Sequence, residues 1–344
     1  MAIRIAMGHI DEYDQTVAGF ARQLGLTSVQ LHCPANLGTE SGHWTAPDLI
    51  ALRDRCERDG LALEGLENVP ADQFADIPRG GPRRDEQIAH YVQTIRNMAT
   101  AGIGLLGYHF MCTYVWRTSM GATGRGGARI SSFHLDDLGK GNALDQYKLA
   151  PATGGPAVDA DALWAHHQYF LDAILPVAEE VGVSLALHPD DPPIAAGLGS
   201  AARIFVSPAA LARADAQSRN SAHWGLNLCL GTVSEMGGQA AVTETIERLG
   251  PARRIKYVHF RDVRGVSPSF DECFLGEGNL DVPAVIDHLH RVGFEGFLID
   301  DHVPAVIGDL DTWADTSPAA YLSRGRAHAI GYLQGVLRAC GADR

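Results

Sequence analysis

Residues 177–193 read VAEEVGVSLALHPDDPP. Val177 to Val181 closes a segment of helical period, and Gly182 stands where a helix ends in the left-handed conformation that glycine adopts without steric cost. Val183 to His188 is then a short apolar run, terminated by an imidazole and a proline. Gly60, Gly102 and Gly293 punctuate the chain in the same way, each between a helical segment and a short apolar run.

Working outward from this unit, strands are expected at Ile3 to Met7, Ser28 to His32, Leu61 to Asn68, Ile103 to Phe110, Val183 to His188, Trp224 to Leu230, Ile255 to Arg261 and Gly296 to Asp301. Helices are expected between and after them, near Tyr13 to Leu24, Ala46 to Asp59, Asp85 to Ala101 and Asp159 to Val181. The remainder fall near Pro208 to Gln217, Val242 to Leu249, Val282 to Val292 and Pro318 to Ala339. Strands alternating with helices predict a parallel sheet. Repeated through the whole chain, they predict a (β/α)8 barrel over residues 1–344, with a doubly wound open sheet as the alternative.

One segment breaks the rhythm. Residues 111–158 contain TGRGGAR, LGKGNAL and PATGGPA and leave from the end of the fourth strand. A long Gly-rich loop at that end of a barrel is expected to be a lid or binding loop, and its Trp116, Arg117, Arg125 and Arg129 suit closure over an anion.

Charge narrows the partners. The chain carries 28 Lys+Arg against 41 Asp+Glu, a net charge of −13, which opposes binding to nucleic-acid phosphates. The N-terminus MAIRIAMGHIDEYD leaves no room for a signal-peptide apolar segment, and no run is long enough to span a bilayer, so a cytoplasmic protein is expected. The six cysteines are scattered without a CxxC pair, as thiols rather than a disulfide framework would be.

In a barrel, polar residues at the C-terminal ends of the strands converge on one mouth. Here these are His32, Glu67 with Asn68, His109, His188, Cys229, His259 with Arg261, and Asp300, Asp301 and His302. His188, Cys229, His259 and one aspartate of LIDDHVP end four successive strands, and imidazole, thiolate and carboxylate all bind divalent metals. Any one of them alone reads as a structural residue. No packing rule asks for the set. Pro189, Pro192 and Pro193 stiffen the backbone beside His188, and Asp190 or Asp191 either orients a ligand histidine or belongs to a solvated turn. His302 and Tyr321 carry groups suited to proton transfer.

The runs LENVP, GGPRRDEQIAHYVQTIRNMATAGI, YHFM, WRTS, RGGAR, HPDDPP, LCLGT, HFRDV, GEGNLD and DDHVP, in this order, resemble the mannonate dehydratases among the xylose-isomerase-like barrels. That resemblance implies a metal-dependent lyase converting D-mannonate to 2-keto-3-deoxygluconate in hexuronate breakdown. It implies His188, Cys229, His259 and Asp301 as metal ligands, with His302 and Tyr321 sharing the acid and base roles. It also implies Mn²⁺, whereas thiolate softness favours Zn²⁺, Co²⁺ or Fe²⁺, and it implies an oligomer. Arg261, with Arg117 or Arg129, is the expected partner of the substrate carboxylate, and His109 and Asn68 are further expected substrate contacts.

The sequence departs from the family pattern at Ile299, Asp300 and Val303, at Asp262 and at Ala320. A carboxylate at position 300 would repel an anion at the rim, pointing to a related sugar acid or a polyol. A sugar isomerase or epimerase on the same barrel and a metal-binding protein without turnover are the competing readings.

Overall fold

The computed structural model describes residues 2–35, 37–38, 40–138, 155–309 and 323–343. Its first half contains β1 (Arg4–Ile5), α1 (Gln15–Gln23), β2 (Ser28–His32), α2 (Ala46–Arg58), β3 (Ala62–Glu67), α3 (Asp76–Arg79), α4 (Arg84–Thr100) and β4 (Leu105–Tyr108). Next come β5 (Ser119–Thr123), β6 (Arg129–His134), α5 (Ala160–Val181), β7 (Ser184–Leu187), α6 (Pro208–Gln217), β8 (Trp224–Cys229) and α7 (Leu230–Leu249). The chain closes with β9 (Ile255–Phe260), β10 (Asp262–Val266), β11 (Ser269–Cys273), α8 (Val282–Arg291), β12 (Phe297–Asp300) and α9 (Arg324–Cys340).

An eight-stranded sheet runs in the order β1-β12-β9-β8-β7-β4-β3-β2, with parallel pairing throughout. A parallel bridge from Met7 to Val29 joins its two ends, so the sheet closes on itself as a barrel. Strands buried on both faces must be apolar on both, and SLAL of β7 and WGLNLC of β8 meet that demand. Alternate residues fill the interior, where Ala6, Ala186, Tyr257, Phe297 and Ile299 form one cluster. The others pack outward on the helices. Gly182 ends α5 with φ 77°, and an aspartate, threonine or serine caps the first turn of α1, α2, α5, α6, α8 and α9.

The expected loop 111–158 is partly sheet. Residues 119–134 form a hairpin whose β6 pairs antiparallel with β11, itself antiparallel to β10, in a second, four-stranded sheet ordered β10-β11-β6-β5. Phe133, Val263 and Phe270 pack with Ile194 and Leu198 as its own small core. Residues 139–154 of the expected lid lie outside the described residues. Helix α7 is longer than the expected Val242 to Leu249: it begins directly after β8 and is interrupted by Gly237 and Gly238, whose backbone is non-helical. Among the described residues, no helix is long and apolar enough to cross a membrane.

Candidate active site

The C-terminal ends of β7, β8 and β9 bring His188, Cys229 and His259 together, each buried and each with a donor atom within 4.8 Å of the others. Asp301 follows β12 and joins them, its Oδ2 lying 3.8 Å from Cys229 Sγ and 4.0 Å from His259 Nδ1. The histidine partners determine which nitrogen is free. His188 Nδ1 donates to the Pro189 carbonyl at 2.6 Å, leaving Nε2 for the cluster. His259 Nε2 lies 3.0 Å from Glu67 Oε2, leaving Nδ1. A carboxylate on the far nitrogen of a metal-binding imidazole fixes the ring plane and the tautomer.

Cys229 ends β8 and is also the N-cap of α7. Its Sγ accepts from the Thr232 hydroxyl at 3.1 Å and from the Thr232 amide at 3.5 Å. Burial alone would raise the thiol; Arg261 and the two imidazoles outweigh it and bring it down to about 5. The same thiolate raises His188 against the lowering effect of burial. Two nitrogens, a thiolate and a carboxylate with converging lone pairs fit a divalent cation.

Glu67 is anchored from four sides within the barrel. Besides His259 it receives Gln30 Nε2 and Asn227 Nδ2, both at 3.1 Å, and Tyr257 lies against it. Burial opposes its charge, but His259 holds it well below the usual carboxylate range. Gly107 makes room for this arrangement: a Cβ there would lie 2.2 Å from the Tyr257 hydroxyl and 2.8 Å from Glu67 Cγ.

A second group of charges adjoins this cluster. Arg117 and Arg261, both buried, pair with Asp191 at 2.5 and 2.8 Å and with Glu272 at 2.8 and 2.7 Å. Arg261 also reaches Glu235 at 3.2 Å and Thr232 Oγ1 at 2.9 Å. Burial would raise Asp191, yet the two guanidiniums hold it well below the usual range; Glu235 is raised by burial and by Asp191. His302 Nδ1 lies 2.6 Å from Glu272 Oε1, and its Nε2 lies 3.7 Å from Asp301 Oδ1.

The other expected residues are placed as follows. Asn68 Oδ1 accepts from the His109 amide at 3.1 Å, and Asn68 Nδ2 lies 2.9 Å from His32 Nε2. His109 Nδ1 accepts from the Met111 amide at 3.2 Å, and burial followed by His188 and His32 brings its ring down to about 3. Arg129 donates to the Met120 carbonyl at 3.4 Å on the rim of the second sheet. Tyr321 and Ala320 lie outside the described residues.

Two expectations are corrected, and a further departure from the family pattern, Asp262, is placed. Asp300 does not face the mouth: its side chain turns outward to Arg326 of α9, 2.8 Å away, so the expected repulsion of an anion does not arise. Neither Asp190 nor Asp191 orients His188, since Asp190 accepts from the amides of Ile204 and Phe205 while Asp191 takes the two arginines. Asp262 likewise turns away from the rim, onto the amides of Gly276, Gly278 and Leu280, and so pins the GEGNLD turn.

His9, Cys33, Asn68 and His302, each just past a barrel strand, have positive φ angles of 42°, 41°, 57° and 42°. Non-glycine residues in this region cost roughly 1–3 kcal/mol each and cluster at functional sites. His9 packs against His32 with ring centroids 4.2 Å apart and the planes tilted by 30°, and burial keeps both imidazoles neutral. Neither was singled out with a role from sequence. Glu67 and Glu272 were likewise given no role, and Asp191 was given a different one; Glu67 left a signal, a carboxylate at the C-terminal end of a barrel strand.

A family model described as D-mannonate dehydratase (UxuA) matches residues 22–152 and 141–343. Mannonate dehydratase 2 of Halalkalibacterium halodurans is 31% identical over 318 residues, covering 87% of this chain and 88% of its own length. The crystal structure of mannonate dehydratase from Streptococcus suis superposes with a TM-score of 0.82 at 26% identity, covering 99% of this chain and 95% of that one. A xylose isomerase domain protein from Planctomyces limnophilus, 15% identical with a TM-score of 0.60, covers 99% of both chains and shares the barrel fold.

Proposed function

The chain belongs to the mannonate dehydratase family and is a hydro-lyase, and on that premise we propose that it dehydrates D-mannonate to 2-keto-3-deoxygluconate with a divalent cation held by His188, Cys229, His259 and Asp301. The observation that carries this reading is the convergence of the two imidazoles and the thiolate within 4.8 Å, with Asp301 and His302 beside them.

Removing the proton on C2 of an aldonic acid places negative charge on the adjacent carboxylate, and water leaves only if the C3 hydroxyl is protonated as it departs. A divalent cation in this site supplies Lewis acidity toward the substrate's oxygens. Mn²⁺ is the ion we assign, as the family resemblance implies, with Zn²⁺, Co²⁺ and Fe²⁺ as the thiolate's alternatives. His302 exchanges a proton through Nε2, the ring atom that faces Asp301, and Tyr321 serves as its counterpart for the second proton transfer. His109 and Asn68, both neutral, suit hydroxyl recognition. Arg117 and Arg261 are enclosed by Asp191 and Glu272 and act on the substrate carboxylate only through that network; Arg129, which donates to the Met120 carbonyl, is the third arginine we assign to it.

Incubation with D-mannonate and each divalent ion in turn, followed by detection of a 2-keto-3-deoxy acid, tests the proposal. Product without loss of water, or full activity after exhaustive chelation, would overturn it.

A further inference from the structure

The second sheet delivers a carboxylate to the back of His302. Glu272, on β11, is 1% exposed, and its Oε1 lies 2.6 Å from His302 Nδ1, 2.7 Å from Arg261 Nη1 and 2.8 Å from Arg117 Nη2. Arg117 stands just ahead of β5, so the sheet supplies both the carboxylate and one of its two guanidinium partners.

A carboxylate oxygen carries only lone pairs, and a lone pair on Nδ1 facing it at 2.6 Å would be repelled. Nδ1 must therefore carry the proton and donate it, at the short distance of a charge-assisted bond. Arg261 Nη1 lies 2.8 Å from the same nitrogen but cannot donate to it once that proton is in place; its hydrogen goes to Glu272 Oε1 instead. Nε2 is the other ring nitrogen, on the side of Asp301 and 3.7 Å from its Oδ1.

Burying Asp191, Glu235, Glu272, Arg117 and Arg261 together is a poor way to stabilise a fold, because desolvation offsets most of the Coulomb gain and apolar replacements are often as stable. What the arrangement does supply is direction. With Arg117 and Arg261 on Oε1, the carboxylate is fixed, and the imidazole it receives is fixed in turn.

We propose that Glu272 is a positioning residue that locks the His302 ring with Nδ1 protonated and so reserves Nε2 for the substrate's proton. The proposal rests on the reading of His302 as the proton-transfer group. Glu272 itself touches no reacting atom; it acts through His302, as the orienting carboxylate of a nucleophile–base–acid triad acts through its histidine.

The test uses the full chain, histidine-labelled with ¹⁵N and loaded with Zn²⁺ or Mg²⁺, ions that leave the spectra sharp. The His302 signals are assigned by their loss in His302→Phe. The parent protein is expected to show a protonated Nδ1 and an unprotonated Nε2. Glu272→Gln is expected to lower kcat about 10²-fold while KM changes less than about threefold and metal content stays level. A parent protein with Nε2 protonated, or a Glu272→Gln enzyme with parental kcat, would overturn the proposal; the first measurement does not depend on any variant folding. A fully active His302→Phe enzyme would instead sink the proton-transfer reading and leave the tautomer result standing.

Discussion

Arg261 and Gly231 approach so closely that a Cβ on residue 231 would lie 2.2 Å from Arg261 Nε and 2.9 Å from its Cγ. The guanidinium has no room to retreat, because Asp191, Thr232, Glu235 and Glu272 hold it from the other sides. The glycine of LCLGT is thus a packing requirement of the arginine of HFRDV. Gly231→Ala is expected to cost about 1–3 kcal/mol of stability by overpacking and to lower kcat, as read by urea unfolding and steady-state kinetics. Parental values for both would show that Arg261 is free to move.

Glu67 receives His259 Nε2 at 3.0 Å, so its removal should be felt as a loss of metal affinity. Losing the outer partner of a ligand histidine typically weakens binding about 10–100-fold. Glu67→Gln keeps an acceptor and should fall at the lower end of that range, with Glu67→Ala at the upper end. Competition against a chromophoric chelator measures both, and equal affinity in all three proteins would remove Glu67 from the metal's support.

Acid stability should report on Glu272. Burial opposes its charge, but His302 and the two arginines bring it from the ordinary 4.5 down to about 2. A carboxyl depressed in the folded state binds its proton more readily unfolded, so its contribution is present above about pH 4.5 and is lost as pH falls toward 2. The full contribution is on the order of 3 kcal/mol. In the Glu272→Gln protein, unfolding free energy should fall less steeply across that window than in the parent; identical slopes would mean the carboxyl is not depressed.

Asp300 and Arg326 tie the last barrel strand to the last helix through a buried ion pair, in which burial still pushes the carboxyl up to about 6. Arg326→Ala strands that carboxylate and should cost about 3–5 kcal/mol. Replacing both residues by apolar ones of similar volume should recover much of the loss. A single mutant as stable as the parent would show that the pair does not anchor α9.

The barrel was legible because its units are local. β2 matches its expected bounds, and the other barrel strands differ at their ends by a few residues, since a glycine-ended helix followed by an apolar run needs no distant information. The convergence of His188, Cys229 and His259 followed from strand ends alone. The second sheet did not, because SMGAT and SFDEC are short, polar strands whose residues look like loop, and their pairing is supplied by partners far along the chain. Arg117 and Glu272 stand 155 positions apart, and nothing near either one announces the other. Asp300 was misread for a different reason: a one-residue step along a strand reverses the face, so Asp301 enters the mouth while its neighbour leaves it.

The left-handed backbone at His9, Cys33, Asn68 and His302 carries a practical consequence. Glycine accepts such angles freely, so exchanging any of the four for glycine would relieve tension and could raise the melting point. The same exchange at His9, Asn68 or His302 would delete an imidazole or an amide beside the pocket. Selection for heat tolerance alone would therefore favour glycine at those three positions, where durability and the side chains of the pocket pull in opposite directions.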